Sequence, residues 1–141
     1  VILSDVWTPK DALPGNVTWR NDINGMAQYA YFNDAQICVT PIADGEICSG
    51  DTVLLTSMMF AKAVVVTENS TLAEMYVRDG HNGLCVSRNI EATAKRLADL
   101  LEDRVECRRL GDNARRDYMD NFSRRSMGIA IMRHLLAVKE D

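Results

Sequence analysis

The chain has 141 residues, 47% hydrophobic and 26% charged, which suits one domain with an ordinary buried core and excludes a disordered segment. Sixteen Lys and Arg against 20 Asp and Glu leave a net charge of −4, so no overall field draws in nucleic acid or an anionic membrane, and any basic site is local. The longest apolar runs, such as Ala63 to Val66, fall far short of the roughly 20 residues a membrane-spanning helix needs.

The opening at Val1 lacks a starting Met and any signal-peptide pattern, which predicts a piece of a longer polypeptide, although a processed terminus would look the same. Val1 to Val6 reads as a short buried strand, Thr8 to Gly15 as a turn-rich stretch, and Asn16 to Arg20 as a second short strand. Met26, Tyr29, Ala30 and Phe32 sit at helical spacing within Gly25 to Asn33, and Ile37 to Ile42 is rich in β-formers. A loop, Ala43 to Gly50, leads to an apolar helix over Asp51 to Ala61, in which Met58 and Met59 read as core packing. The most strand-like segment follows, Ala63 to Thr67, then a short helix over Thr71 to Val77, a turn at Asp79 to Gly83 and a brief strand at Leu84 to Val86. From there the pattern is helical only: Glu91 to Glu102, Val105 to Tyr118 and Arg124 to Val138.

Compact apolar strands alternating with helices predict an α/β fold, a doubly wound parallel sheet of the Rossmann-like kind ending in helices, in a single domain spanning 1–141. Ligands of such sheets sit at the carboxyl ends of the strands, where loops run into helix starts. The loop before Asp51 is therefore the first candidate site. Ser49 or Asp51 is placed to cap the helix, Gly50 lets a ligand approach the backbone, and unpaired N–H groups at the helix start make a seat for a diphosphate. An ordinary capped helix after a glycine turn explains the same residues, and the residues alone leave both open.

Other candidates have plainer explanations. The cysteines Cys38, Cys48, Cys85 and Cys107 form no CxxC pair and no ligand spacing with His81 or His134, so they read as reduced thiols of a cytoplasmic protein, with no metal and no cofactor implied. His81 and Asn82 read as turn residues between Gly80 and Gly83, whose freedom to adopt positive φ the turn requires. His134 reads as a surface or partly buried side chain on a late helix. Arg108, Arg109, Arg115, Arg116, Arg124 and Arg125 are interspersed with Glu106, Asp112, Asp117 and Asp120 and read as a solvated face, with an anionic acceptor or membrane as the other reading.

Ser49 to Thr67, SGDTVLLTSMMFAKAVVVT, resembles the donor-loop segment of GT-B-fold glycosyltransferases of the group 1 type, which reads like SGxxxLLEAMAxGKPVVVT. Leu72 to Val86 (LAEMYVRDGHNGLCV) is similar to the same family's "DGxNGxLV" turn. Ile90 to Ser123 resembles its closing helices, and Asn16 to Ile42, with Ala35 to Pro41 in place of "ADVxVxP", resembles the stretch before the donor loop. Each motif is weak, whereas their order and spacing together are specific.

The resemblance implies a C-terminal nucleotide-sugar-binding domain, with the acceptor domain and the first strand-helix unit missing. Helix-start amides at Ser49, Gly50, Asp51 and Thr52 would then meet the donor diphosphate of a nucleoside-diphosphate sugar, UDP- or GDP-linked among others. The family's two carboxylates would fall on Cys48 and Thr56, so both are absent in register. Glu46 or Asp44 is left to approach the transferred sugar, with Glu46 as the candidate catalytic residue. Glu74 falls on a family carboxylate that follows the donor loop, and reads equally as a solvated first-turn Glu. Ala61 and Ala63 stand where the family has Gly and Pro.

The implied activity is a retaining hexosyltransferase, cytoplasmic, with peripheral membrane contact open to the intact enzyme and no nucleic-acid partner. Two other classes remain: a degenerate GT-B domain kept for folding or partner contact, and a GT-B-fold sugar-nucleotide epimerase.

Overall fold

Parallel pairing of short strands organises the chain. The computed structural model describes residues 1–4, 8–43 and 49–137, so the expected strand residues 5 and 6 and the helix end at 138 lie outside the described residues. The fold divides into two compact units, Val1–Asp34 and Ala35–Asp141.

In the first unit β1 (Ile2–Leu3) pairs in parallel with β2 (Trp19–Arg20), Ile2 opposite Trp19 and Leu3 opposite Arg20; both β1 residues are exposed where a buried strand is expected, because this sheet has two strands only. A 3-10 turn, Gly25–Ala27, feeds α1 (Gln28–Asp34), which buries Phe32. The Arg20 guanidinium grips Asp22 through two 2.7 Å hydrogen bonds, which holds the Asp22 carboxyl below the usual carboxylate range.

The second unit carries a three-stranded parallel sheet in the order β3 (Ile37–Thr40), β4 (Ala63–Thr67), β5 (Leu84–Val86). Helices α2 (Asp51–Met59) and α3 (Thr71–Tyr76) make the crossovers. Then come α4 (Ile90–Glu102), α5 (Arg104–Asp117), a π-helical segment at Tyr118–Phe122 and α6 (Arg124–Ala137), and no further strand follows among the described residues. The expected element order therefore stands, with boundaries shifted by one to three residues and the 3-10 turn and the π-helical segment as additions. Among the described residues, no helix is long and apolar enough to cross a membrane.

All five residues of β4 are buried, which is why this segment is a continuous apolar run rather than an alternating one. The two-residue period of the strand splits them between two cores. Val64 and Val66 pack with Leu54 and Met58 of α2, Leu72 and Ala73 of α3, and Ala114 of α5. Ala63 and Val65 pack on the other face with Leu84, Val86, Leu100 and Leu110. Each fully buried valine or leucine there contributes about 1.5–3 kcal/mol relative to exposure. Met58 is completely buried as expected, whereas Met59, one residue on, is half-buried.

The turn from α2 into β4 is a Schellman closure: the Ala61 N–H donates to the Met58 carbonyl and the Lys62 N–H to the Ser57 carbonyl, both at 3.0 Å. Ala61 takes the left-handed conformation this motif requires, with φ 56°. It does so without being glycine. Its carbonyl also sets the distance to α5, since a Cβ on Gly111 would lie 2.2 Å from the Ala61 oxygen. The α5 backbone crosses here because position 111 has no side chain.

Candidate functional site

The carboxyl ends of β3 and β4 are tied together by hydroxyls. Thr67 Oγ1 accepts from the Ile42 amide at 2.9 Å, and Ser70 Oγ donates to the Thr67 carbonyl at 2.6 Å while accepting from the Ala73 amide. Ser70 thereby caps α3, the usual work of a serine one residue before a helix. Thr40, the last residue of β3, is buried, and its hydroxyl has no hydrogen-bond partner among the described residues.

Above this edge α2 begins at Gly50, with φ 85° and ψ 2°, and the first helical bond runs from the Leu54 amide to the Gly50 carbonyl at 2.9 Å. The expected cap by Ser49 or Asp51 is not made. Gly50 itself occupies the capping position and has no side chain to fold back, while Asp51 lies one residue inside the helix. Among the described residues, no side chain accepts from the amides of Asp51, Thr52 or Val53. Those amides carry the positive end of the helix dipole. Glycine is required at position 50 twice over, by the left-handed φ and because a Cβ would stand 2.7 Å from the Thr40 methyl.

Thr52 is exposed, and Thr56 lies one turn further along, away from the buried stripe of Leu54, Ser57 and Met58. The Thr56 hydroxyl donates its proton to the Thr52 carbonyl at 2.7 Å and keeps its lone pairs as acceptors. Glu46, Asp44 and Cys48 lie outside the described residues. Ser49, Gly50, Asp51, Thr52 and Thr56 are thus gathered at one helix start. Glu74 sits on the first turn of α3 and is exposed; it lines a groove of about 260 Å³ with Arg78, Asn82, Asp117 and Phe122.

His81 and Asn82 occupy a turn as expected, but the reason for the second glycine differs. Gly80 has φ 70°, whereas Gly83 has no positive φ and is needed because a Cβ there would meet the Val64 side chain at 2.6 Å and its carbonyl at 2.8 Å. Asn82 is buried: its Oδ1 accepts from the Arg78 amide at 2.7 Å, and its Nδ2 donates to the Tyr76 carbonyl and to Asp117.

One face of α5 holds the same turn. Arg109 donates to the Gly80 carbonyl, Asn113 to the His81 carbonyl, and Asp117 accepts from Asn82 and Arg78. These residues recur every fourth position, hence on one side of the helix. Two members of the arginine cluster are therefore structural: Arg109, also paired with Glu106, and Arg115, which donates to the Met59 carbonyl. The Arg109 guanidinium holds the Glu106 carboxyl below its usual range. Burial pushes the Cys38, Cys85 and Cys107 thiols up, so they are kept protonated near neutrality.

The family described as glycosyl transferases group 1 matches residues 7–103. No curated protein sequence matches the chain. Among solved structures, sucrose-phosphate synthase from Thermosynechococcus elongatus is similar at a TM-score of 0.70 with 22% sequence identity, over 86% of this chain and 30% of that one. The chain thus spans less than a third of the length of that enzyme. At this identity the likeness concerns the fold: an α/β arrangement of parallel strands and helices that matches a GT-B glycosyltransferase domain. With the match extending over 7–103, the chain belongs to the group 1 glycosyl transferases.

Proposed function

We propose that the chain is the C-terminal, donor-binding part of a larger hexosyltransferase that takes a sugar from a nucleoside-diphosphate sugar. The observation that carries this reading is the uncapped start of α2 at the carboxyl edge of a parallel sheet, with Gly50 in the left-handed conformation and the amides of Asp51, Thr52 and Val53 offered to an anion. Group 1 membership supports a nucleotide-sugar donor as the substrate class.

In this reading the leaving diphosphate gathers negative charge as the anomeric bond breaks, and the helix-start amides stabilise it with no reorganisation. Thr56 accepts from a ribose hydroxyl, Glu46 approaches the transferred sugar from the donor loop, and Glu74 serves the donor from α3. Transfer proceeds with retention and without a metal, and the acceptor is held by a part of the protein beyond this chain. Asp51 is an acid in the same first turn, and its charge would oppose an incoming diphosphate.

One observation favours a second reading, a domain retained for packing after losing its donor. Thr56 satisfies itself on the helix backbone, so nothing buried depends on a ligand there.

Titration with UDP, GDP and ADP, followed by amide chemical shifts, tests the proposal. Saturable shifts at Gly50, Asp51, Thr52 and Thr56 are expected, with one nucleotide preferred. Shifts centred elsewhere in the chain would overturn the placement.

A further inference from the structure

The amino edge of the sheet, opposite the helix start just described, carries a second concave feature. Residues Ala35 and Gln36 before β3, Ala61 and Lys62 before β4, and Arg104, Cys107 and Arg108 of α5 enclose a groove of about 260 Å³. The five-residue strand β4 separates this edge from the Gly50 edge by about 13 Å at the usual rise per residue.

The groove concentrates positive charge in a chain whose overall charge is −4. Arg104 and Arg108 are one turn apart on α5 and lie on the same side as Cys107. Lys62 reaches the groove because the Schellman turn at Ala61 fixes its backbone, with the Lys62 N–H bonded to Ser57 and Ala61 packed against Gly111. Among the described residues, two carboxylates at the start of α5 are already engaged. Asp103 caps α5 by accepting from the Glu106 amide at 2.8 Å, and Glu106 is held by Arg109 at 2.6 Å. Among the described residues, neither Arg104 nor Arg108 forms an ion pair. The Cys107 thiol is turned to the Gln36 carbonyl at 3.4 Å, so it adds no negative charge to the floor.

We infer that this groove, walled by Lys62, Arg104 and Arg108, binds a small phosphate-bearing anion at a site separate from the donor seat. A volume of this size admits a phosphate group with a small substituent. Two guanidinium groups present planar forks suited to phosphate oxygens, the lysine supplies a point charge, and the first turn of α5 adds its dipole. The inference is independent of whether the donor seat is active.

The test is a titration of the full chain with inorganic phosphate and, separately, methyl phosphate, against sodium chloride at matched ionic strength, followed by amide shifts. Saturable shifts at Lys62, Arg104, Cys107 and Arg108 are expected, absent in the chloride control. The double variant Arg104→Gln, Arg108→Gln should raise the dissociation constant at least tenfold while its urea midpoint stays unchanged, and Lys62→Gln should give a smaller loss. Comparable binding of both probes assigns the site to phosphate monoesters; binding of inorganic phosphate alone assigns it to the free ion. Shifts reproduced by chloride, shifts confined to the start of α2, or an affinity unchanged in the folded double variant would each overturn the inference.

Discussion

Asn82 and Asp117 are joined by a 2.7 Å hydrogen bond from Asn82 Nδ2 to Asp117 Oδ2, across 35 positions of sequence. The same Asn82 side chain accepts from the Arg78 amide and donates to the Tyr76 carbonyl, and Asp117 also accepts two bonds from Arg78. This pair fastens the turn before β5 to the end of α5. Replacing Asn82 with Ala leaves buried partners unsatisfied and should cost about 2–4 kcal/mol. Urea denaturation measures it. Asp117→Asn keeps the shape and should cost less; a loss under about 0.5 kcal/mol for Asn82→Ala would mean that the turn is held by its glycines alone.

Gly50→Ala should destabilise by about 1–3 kcal/mol, because the new side chain must hold a left-handed φ and press on the buried Thr40 methyl at 2.7 Å. The disturbance should appear at the amides of Thr40, Asp51 and Leu72, whose side chain also borders the new methyl. Unchanged stability would show that the chain enters α2 by a different path.

Ala61→Gly should have the opposite sign. Ala61 already sits at φ 56° in a position where glycine is preferred, so relief of that conformation outweighs the greater entropy of an unfolded glycine, with a net gain of about 0.5–1 kcal/mol. A rise in the thermal midpoint checks it, and a fall would mean that the Ala61 methyl contributes packing that glycine forfeits.

Alkaline pH should weaken the fold through its buried thiols. Cys38 and Cys107 have folded pKa values raised above the ordinary 9.0 by burial. A raised pKa means that the folded chain keeps its protons longer than the unfolded chain does. Their contribution is therefore complete below pH 9 and is lost as pH climbs toward the folded values. The urea midpoint should fall more steeply between pH 8.5 and 10.5 for the parent than for Cys38→Ala; parallel slopes would remove this thiol from the account.

Much of the second unit was legible because its signals are local. The apolar run Ala63 to Thr67 and the glycine before Asp51 name a buried strand and a helix start without reference to the rest of the chain. The cap of α2 was misplaced because Ser49 and Asp51 are both good capping types, and only the left-handed φ of Gly50 moves the cap between them. The α5 stripe of Arg109, Asn113 and Asp117 was hidden for a different reason: polar residues at every fourth position look the same whether they face water or a distant turn. Gly83 shows the same limit, since a close approach to Val64 leaves no mark in the sequence around either residue.

A gain of binding at Thr56 tests whether the start of α2 is the donor seat. Thr56 offers one hydroxyl, with its proton committed to Thr52, where a carboxylate would offer two acceptor oxygens to the ribose. Calorimetric titration of the parent and Thr56→Glu with the preferred nucleoside diphosphate should show at least tenfold tighter binding by the variant, worth about 1.5–3 kcal/mol. An affinity that is unchanged or weaker in a folded Thr56→Glu protein would contradict the seat.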